Sequence, residues 1–465
     1  MKKTSDAKDT KILILGLGQY PKGSGVSAAL FFAAQGYPVR VTDQKTAEQL
    51  QGNVDRLHQY PNVEFILGKH RMQDISWADV IVRNPRVRPS SPEMKLATKL
   101  GKRVESDVSL FMARCPCPIV AVTGTRGKST TATLTAEMLK ASGKRVWLGG
   151  NLLVSPLTFL SKVKKSDIVV LELSSWLLET TGALGLAPRY ALVTNLKRDH
   201  LNTYGSMDEY AEAKAQIFRH QQPDDVVVLN ADDAYGQAWI KEAPGTVVTF
   251  SSQKKSADGW LDKKALRWKD ARTKKAVHIL LRAKLRVLGE HNALNVLAAA
   301  LLARSAGASL PAIRKAAQHF NGIADRLEHV RTWKGIRFIN DTTASTPDAT
   351  IAALRAFASS SATIHLLAGG ADKELLFDEL AQEMKGKKMC VSLFEGTALK
   401  PFSAALKKQK IAFQVVSSMQ QAFEYHLRHA TRGDIVLLSP GCASFGIFQN
   451  EFERGEMFRE LVRKL

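Results

Sequence analysis

The sequence predicts an α/β fold: parallel sheets wrapped by helices, in three successive blocks. Three observations carry this. Short apolar runs alternate with helix-like stretches along nearly the whole chain, as in repeated strand–helix units. Glycine turns join some of those runs to the helices that follow. Polar clusters stand just past the ends of the runs, where open parallel sheets place their ligands.

The 465 residues suffice for several domains with sizeable cores. No apolar run reaches the roughly 18 residues of a membrane span. The polar N-terminus leads straight into a strand, so a cytoplasmic protein without a signal peptide is expected. Cys115 and Cys117 form a lone C-x-C with no second ligand pair nearby, and Cys390 and Cys442 stand apart, so reduced thiols and no zinc are expected. The net charge of +22 raises nucleic acid as a partner. The basic residues are dispersed, however, and their densest stretches, 162–165 and 385–388, lack interleaved aromatics. No nucleic-acid partner is expected, and a nucleic-acid-dependent ATPase is only an alternative.

The first block runs to about residue 112. Ile12–Leu15 reads as a strand, Gly16-Leu17-Gly18 as a turn, and a helix opens near Ser24. Val39–Thr42 is a second strand ending at Asp43, and Val63–Leu67 and Asp79–Val82 are further strand-like runs. The turn is a poor dinucleotide fingerprint, because Gln19 to Lys22 intervene before Gly23 and Gly25. A tight turn near a nucleotide or anion is the plain reading. Asp43 stands where an acidic group often meets a ribose or base.

The second block, 113–322, opens with the apolar run Pro118–Val122. Gly124-Thr125-Arg126-Gly127 then leads into a helix-like stretch, Ser129–Lys140. Val122 replaces the first glycine of G-x-x-x-x-G-K-[ST], leaving the shorter T-G-T-x-G-K-S-T. Backbone N–H groups at such a turn and helix N-terminus suit a polyphosphate. Lys128 can reach terminal phosphates, and Ser129 or Thr130 can offer a hydroxyl to Mg²⁺. ATP use is therefore expected. Ile168–Leu173, Tyr190–Thr194 and Val226–Leu229 read as buried parallel strands, and 246–288 as a small antiparallel excursion.

Glu172 ends one of these strands and is a candidate Mg²⁺ ligand, since Mg²⁺ takes carboxylate and phosphate oxygens. His200 follows another strand, but Mg²⁺ does not favour imidazole, so physics alone assigns it no metal. Lys214 lies in the helical stretch Asp208–Arg219, where a lysine is ordinarily solvated. Asn292 and Asn295 share a helix face and could meet a planar base edge; capping at Asn292 is the alternative.

The third block, 323–465, repeats the alternation with strands at Ile336–Ile339, Thr363–Leu367, Cys390–Phe394, Ala412–Val416 and Ile435–Leu438. Helical stretches such as Ser418–His429 lie between them. Polar clusters at 340–343, 369–373 and 439–444 follow three of these strands and are predicted to form one binding mouth. Arg326, just before them, could reach a phosphate.

These segments together resemble the Mur ligase family of ATP-dependent amide-bond-forming enzymes. The resemblance rests on T-G-T-x-G-K-S-T at 123–130, G-G-N at 149–151, E-L-S-S at 172–175 and N-x-x-x-D-H at 195–200. It continues through G-x-H-N-x-x-N at 289–295, R-x-E at 326–328, N-D at 340–341, G-G-x-D-K at 369–373 and S-P-x-x-A-S-F at 439–445. It implies three domains. A Rossmann-like UDP-binding domain would span 1–112. A central P-loop ATPase-type parallel-sheet domain would span 113–322, and a Rossmann-like domain for the amino acid 323–465.

The most similar members add glutamate to UDP-N-acetylmuramoyl-L-alanine through an acyl phosphate, in peptidoglycan precursor synthesis. D-glutamate is expected and L-glutamate is the option; another Mur-type or a folylpolyglutamate-like ligase is the alternative. ATP, two Mg²⁺ ions and a monomer are expected.

The resemblance also implies residue roles. Lys128, Glu172, His200 and Lys214 would be catalytic. Gly124, Thr125, Arg126, Gly127, Lys128, Ser129, Thr130, Asn292, Asn295, Arg326 and Asp341 would bind ATP. Ser129, Thr130, Glu172, His200 and a carbamylated Lys214 would hold metal. Gly18, Asp43, Asn84, Asn151 and Ser174 would meet the UDP substrate, and Thr343, Lys373, Ser444 and Phe445 the amino acid. Several positions depart from the family pattern. Thr343 replaces a lysine, Gly446 an aspartate, and Glu451 a frequent aromatic; Asn84-Pro85-Arg86 replaces S-P-G and Arg126 a common asparagine. The phosphate and metal pattern is kept while the amino-acid pocket is altered.

Overall fold

The computed structural model describes residues 9–152, 154–199, 203–270, 273, 275–287, 289–357, 361–372, 375–444 and 446–465. They build three sheets with helices between the strands.

The first sheet contains β1 (Ile12–Leu15), β2 (Val39–Asp43), β3 (Val63–Leu67), β4 (Val80–Arg83) and β5 (Arg103–Glu105), in the order β3-β2-β1-β4-β5 and all parallel. Every residue of β1 is buried, which explains its unbroken apolar run. The chain leaves β1 to β2 on one side and to β4 on the other. That reversal opens a crevice at the carboxyl ends, beside Gly16–Gly18 and Asn84. β5 was not anticipated: three residues with charged ends carry no periodic signal.

The second sheet holds β6 (Ile119–Thr123), β7 (Val146–Gly150), β8 (Ile168–Glu172), β9 (Tyr190–Val193), β10 (Val226–Asn230), β11 (Thr246–Ser251), β12 (Gly259–Leu261), β13 (Ala265–Lys269) and β14 (Ala276–Leu281). Their order is β14-β13-β12-β11-β10-β9-β6-β8-β7. Strands β12, β13 and β14 pair antiparallel, as the sequence predicts for that stretch, and the rest pair parallel. β7 was missed because its closing Gly-Gly reads as a turn. The register sets Val122 opposite Glu172 and Thr123 opposite Val193, so the ends of β8 and β9 flank the loop after β6.

The third sheet has β15 (Glu328–Trp333), β16 (Ile336–Asn340), β17 (Ile364–Gly369), β18 (Met389–Phe394), β19 (Gln414–Val416) and β20 (Ile435–Leu438), in the order β15-β16-β20-β17-β18-β19. Only β15 runs antiparallel to its neighbour. Strands β16, β20 and β17 are adjacent, so the three polar clusters follow neighbouring strands.

Contacts divide the chain into two units. One runs to Lys284 and takes in Leu294–Gln318; the other is Leu285–Ala293 with His319–Leu465. One apolar core runs from the first sheet into the second, whereas the third sheet has a core on each face. Among the described residues no helix is long and apolar enough to cross a membrane.

Candidate active site

The loop after β6 is held by the end of β9. Thr125 N–H donates to the Asn195 carbonyl at 2.9 Å, and Arg126 N–H to Asn195 Oδ1 at 3.1 Å. Thr194 Oγ1 and Asn195 Nδ2 donate in turn to the Arg126 carbonyl. Gly124 and Gly127 have φ of +139° and +83°. A Cβ on Gly124 would stand 1.9 Å from Thr194 Oγ1, and one on Gly127 2.4 Å from Asn295 Oδ1, so only glycine fits either place. Helix Lys128–Ala141 starts at Gly127 with no side-chain cap. The loop thus leads into a helix N-terminus, where the helix dipole favours negative charge. Lys128 Nζ lies 3.0 Å from both the Gly124 and Thr125 carbonyls. Ser129 and Thr130 are buried in the first turn.

Glu172 closes β8 and is 1% exposed. Its Oε1 accepts from Asn151 Nδ2 at 2.9 Å, while Oε2 is buried without a hydrogen-bond partner. An oxygen in that condition is costly unless a cation or donor arrives. An oxygen donor beside a phosphate loop fits Mg²⁺.

Lys214, expected to be solvated, is instead 1% exposed. Its helix, Met207–Arg219, packs its apolar face inward and carries the lysine with it. Nζ donates to the Gly124 carbonyl at 2.9 Å and lies 4.7 Å from the centre of the Tyr210 ring. Burial pushes this ammonium well below the ordinary lysine range, and the Lys128 charge lowers it further; Asp199 and Glu172 pull the other way.

A separate cavity of about 640 Å³ opens at the carboxyl ends of the first sheet. Gly18, Asp43, Asn84 and Asn151 line it, together with the cationic Lys45 and Arg86. Asp43 is engaged by backbone: Oδ2 accepts from Gly18 N–H at 3.0 Å and Oδ1 from Lys45 N–H at 2.9 Å. Asn84 Nδ2 donates to the Gly16 carbonyl, and its Oδ1 accepts from Arg86 N–H. Ser174 caps the helix Ser175–Ala183, accepting from Leu177 N–H.

The strand ends of the third sheet bond to one another. Asp341 is buried; its Oδ2 accepts from Ser439 Oγ at 2.8 Å and its Oδ1 from Leu327 N–H at 3.1 Å. Burial pushes its carboxyl up to about 7, against the pull of these donors and of Arg326. Asp325 and Leu327, on either side of Arg326, have φ of +67° and +45°. Side chains rarely adopt that backbone without other constraints. Arg459 Nη1 and Asn340 Nδ2 supply them by donating to Asp325 Oδ1 at 2.6 and 2.9 Å.

Three family models match the chain: the Mur ligase MurD-like N-terminal domain over 10–106, the Mur ligase middle domain over 122–303, and the Mur ligase glutamate ligase domain over 325–442. A protein from Roseiflexus sp. (strain RS-1), named UDP-N-acetylmuramoylalanine--D-glutamate ligase, is 42% identical, covering 97% of this chain and 98% of its own. The chain belongs to the Mur ligase family. A protein of the same name from Borreliella afzelii (strain PKo) is 34% identical over 99% of each chain. Among solved structures, the UDP-N-acetylmuramate-alanine ligase MurC of Thermotoga maritima has a TM-score of 0.61 at 21% identity, over 98% of this chain and 99% of its own. That likeness extends to the fold.

In this Mur ligase the loop residues Gly124 to Thr130 lie beside Lys214, and Asn295 packs against Gly127. Asn292 does not cap its helix, which begins at Glu290 and places it in the first turn. Arg326 is exposed beside the buried Asp341. Thr343 Oγ1 donates to the Asp325 carbonyl at 2.8 Å, and Ser444 is buried. His200, Lys373 and Phe445 lie outside the described residues.

Several supporting residues escaped the sequence reading. Arg83, at the end of β4, donates to the Trp176 carbonyl at 2.8 Å and to Thr180 Oγ1 at 2.9 Å, tying the first sheet to the second. An arginine closing an apolar strand was its only signal. Asp107 lines the cavity and accepts from Ser24 Oγ. Arg454, 0% exposed, donates to the Thr342 carbonyl and hydroxyl at 2.8 and 2.9 Å. Helical spacing did not mark the last two.

Proposed function

We propose that this chain is an ATP-dependent ligase that joins D-glutamate to UDP-N-acetylmuramoyl-L-alanine in the making of peptidoglycan precursors. The observation that carries the chemistry is the set of groups around Gly124: an uncapped helix N-terminus, Lys128, the unpartnered Glu172 oxygen and the buried Lys214 amine. The names of the full-length relatives supply the substrates.

The difficulty of the reaction is that two anions must meet, because the substrate carboxylate has to take a phosphoryl group before an amine can displace it. Loop N–H groups and Lys128 would hold the nucleotide's phosphates and offset that repulsion. Mg²⁺, two ions in this reading, would supply positive charge to offset that of the phosphates. Glu172, Ser129 and Thr130 would hold it, with His200 added by the sequence pattern. Lys214 is suited to carbamylation. Burial favours the neutral amine, which can add CO₂ and release one proton, and this places a carbamate anion beside Lys128. Asn292, Asn295, Arg326 and Asp341 would complete the ATP site. Gly18, Asp43, Asn84, Asn151 and Ser174 would serve the UDP substrate, whose diphosphate suits Lys45 and Arg86. Thr343, Lys373, Ser444 and Phe445 would serve the amino acid. Boundaries at 112 and 322, a monomeric state and a cytoplasmic location belong to the same proposal.

The deciding experiment is phosphate release with UDP-N-acetylmuramoyl-L-alanine against a panel of D- and L-amino acids. Turnover is expected with D-glutamate and only when both substrates are present. Turnover that prefers L-glutamate would correct the stereochemistry, and stimulation by DNA or RNA alone would overturn the reading.

A further inference from the structure

The face of the third sheet that packs against helix Met419–His429 carries polar residues the ligase reaction does not use. Strands β17 and β18 pair with His365 opposite Cys390, which sets the two side by side. Side chains alternate along a strand, so Ser392 shares that face. Met419, Ala422, Phe423 and His426 are buried at helical spacing, and this brings His426 down onto the pair. One ring nitrogen from each histidine and the Cys390 sulfur all lie within 4.8 Å of one another. His365 is 2% exposed and His426 0%.

The hydrogen bonding is lopsided. His365 Nε2 lies 3.3 Å from Asp434 Oδ2, and His426 Nε2 lies 2.8 Å from Ser392 Oγ. Nδ1 of both rings is buried with no hydrogen-bond partner. Buried polar atoms are seldom left so, and here two occur beside one thiol.

We propose that His365, Cys390 and His426 bind a zinc-class divalent transition-metal ion through the two Nδ1 atoms and the sulfur, with water as the fourth ligand. Two imidazoles and a thiolate suit Zn²⁺ or Co²⁺ and not Mg²⁺. Asp434 plays the supporting part that metal-bound histidines need. It is fixed by the N–H and hydroxyl of Thr431 and by Thr363 N–H, and it orients His365 through Nε2. Burial lowers His426 to about 3 and, against the pull of Asp434, lowers His365 as well, which favours the neutral form that ligates. Burial raises the Cys390 thiol. Binding therefore exchanges one S–H bond for one sulfur–metal bond and releases one proton to solvent. Cys390 is only part-buried, which gives the ion a way in. The site sits at the amino ends of its strands, about 13 Å along β17 from Gly369 at about 3.3 Å per residue. Its role is to clamp the helix to the sheet rather than to touch substrate.

The test uses the full chain carrying Cys115→Ser and Cys117→Ser, which removes the other thiol pair, whose sulfurs are 3.7 Å apart. Co²⁺ is titrated in excess Mg²⁺, so that hard-oxygen sites are filled. A thiolate-to-cobalt charge-transfer band saturating at one ion per chain is expected, with about one proton released per ion and displacement by Zn²⁺. Adding Cys390→Ser, a one-atom change, is expected to abolish the band while circular dichroism stays native. His426→Gln is expected to weaken binding at least tenfold. No band before the Cys390 change would mean a metal-free packing in which His426 leans on the nearby Leu366 carbonyl, and the proposal would be overturned. A band surviving Cys390→Ser would overturn it equally.

Discussion

Around Gly124 a buried carboxylate oxygen lacks a partner and burial drives a lysine amine well below its ordinary range; at the ends of β16 and β20 the corresponding polar groups are bonded within the fold. Unpaired buried charge costs several kcal/mol, so it persists where a ligand completes it. The phosphate loop is thus arranged for charged ligands at the expense of its own stability. The C-terminal strand ends form a satisfied frame. Thr343 belongs to that frame through the bond of its hydroxyl to the Asp325 carbonyl.

The difference can be broken first at Lys128. Lys128→Ala is expected to lower phosphate release with both substrates by at least about 10³-fold with little change in stability, because its ammonium donates to the Gly124 and Thr125 carbonyls of its own loop. Near-normal turnover in a folded variant would detach the loop from the chemistry. Glu172→Gln is expected to cost about 10²-fold and to raise the Mg²⁺ needed for half-activity. Its urea midpoint should not fall, since the change removes a buried charge that Asn151 satisfies on one oxygen only. An unchanged Mg²⁺ dependence would remove Glu172 from the metal site.

The frame should respond the other way. Arg454→Met leaves the Thr342 carbonyl without its donor in the interior, while the Thr342 hydroxyl keeps its bond to the Glu451 carbonyl, so a loss of about 3 kcal/mol in unfolding free energy is expected. Denaturation within 1 kcal/mol of the parent would show that the frame does not depend on it.

The smallest effect concerns pH. Asp341 titrates at about 7 when folded, against about 3.9 for a free aspartate. Between those values the unfolded chain binds fewer protons, so this contribution is full below pH 4 and is lost as pH rises toward 7. Asp341→Asn should remove about 2 kcal/mol of the stability difference between pH 5 and pH 7. Equal slopes in the two proteins, measured by urea denaturation, would refute the burial argument.

Much of this was legible in the chain. β1, β6 and β8 are unbroken apolar runs because both their faces are covered, and Gly124 and Gly127 mark a turn that no other residue can make. The three C-terminal clusters, predicted to form one binding mouth, follow strands that are adjacent and parallel, so their strand ends share one sheet edge. β5 and β7 were missed because short strands ending in charge or glycine imitate loops. The burial of Lys214 went unforeseen, because its own helix says only that a lysine lies near an apolar stripe.

The order of strands and helices, the phosphate loop and the family membership were thus set by the sequence alone, through periodicities and turns spanning a few residues. Tertiary structure decided which distant residues meet. Arg83 reaches Thr180, Arg454 reaches Thr342, and His426 settles beside His365 and Cys390. Those meetings depend on strand order and on the register of helix against sheet, and such long-range geometry leaves no mark on the local pattern of residues.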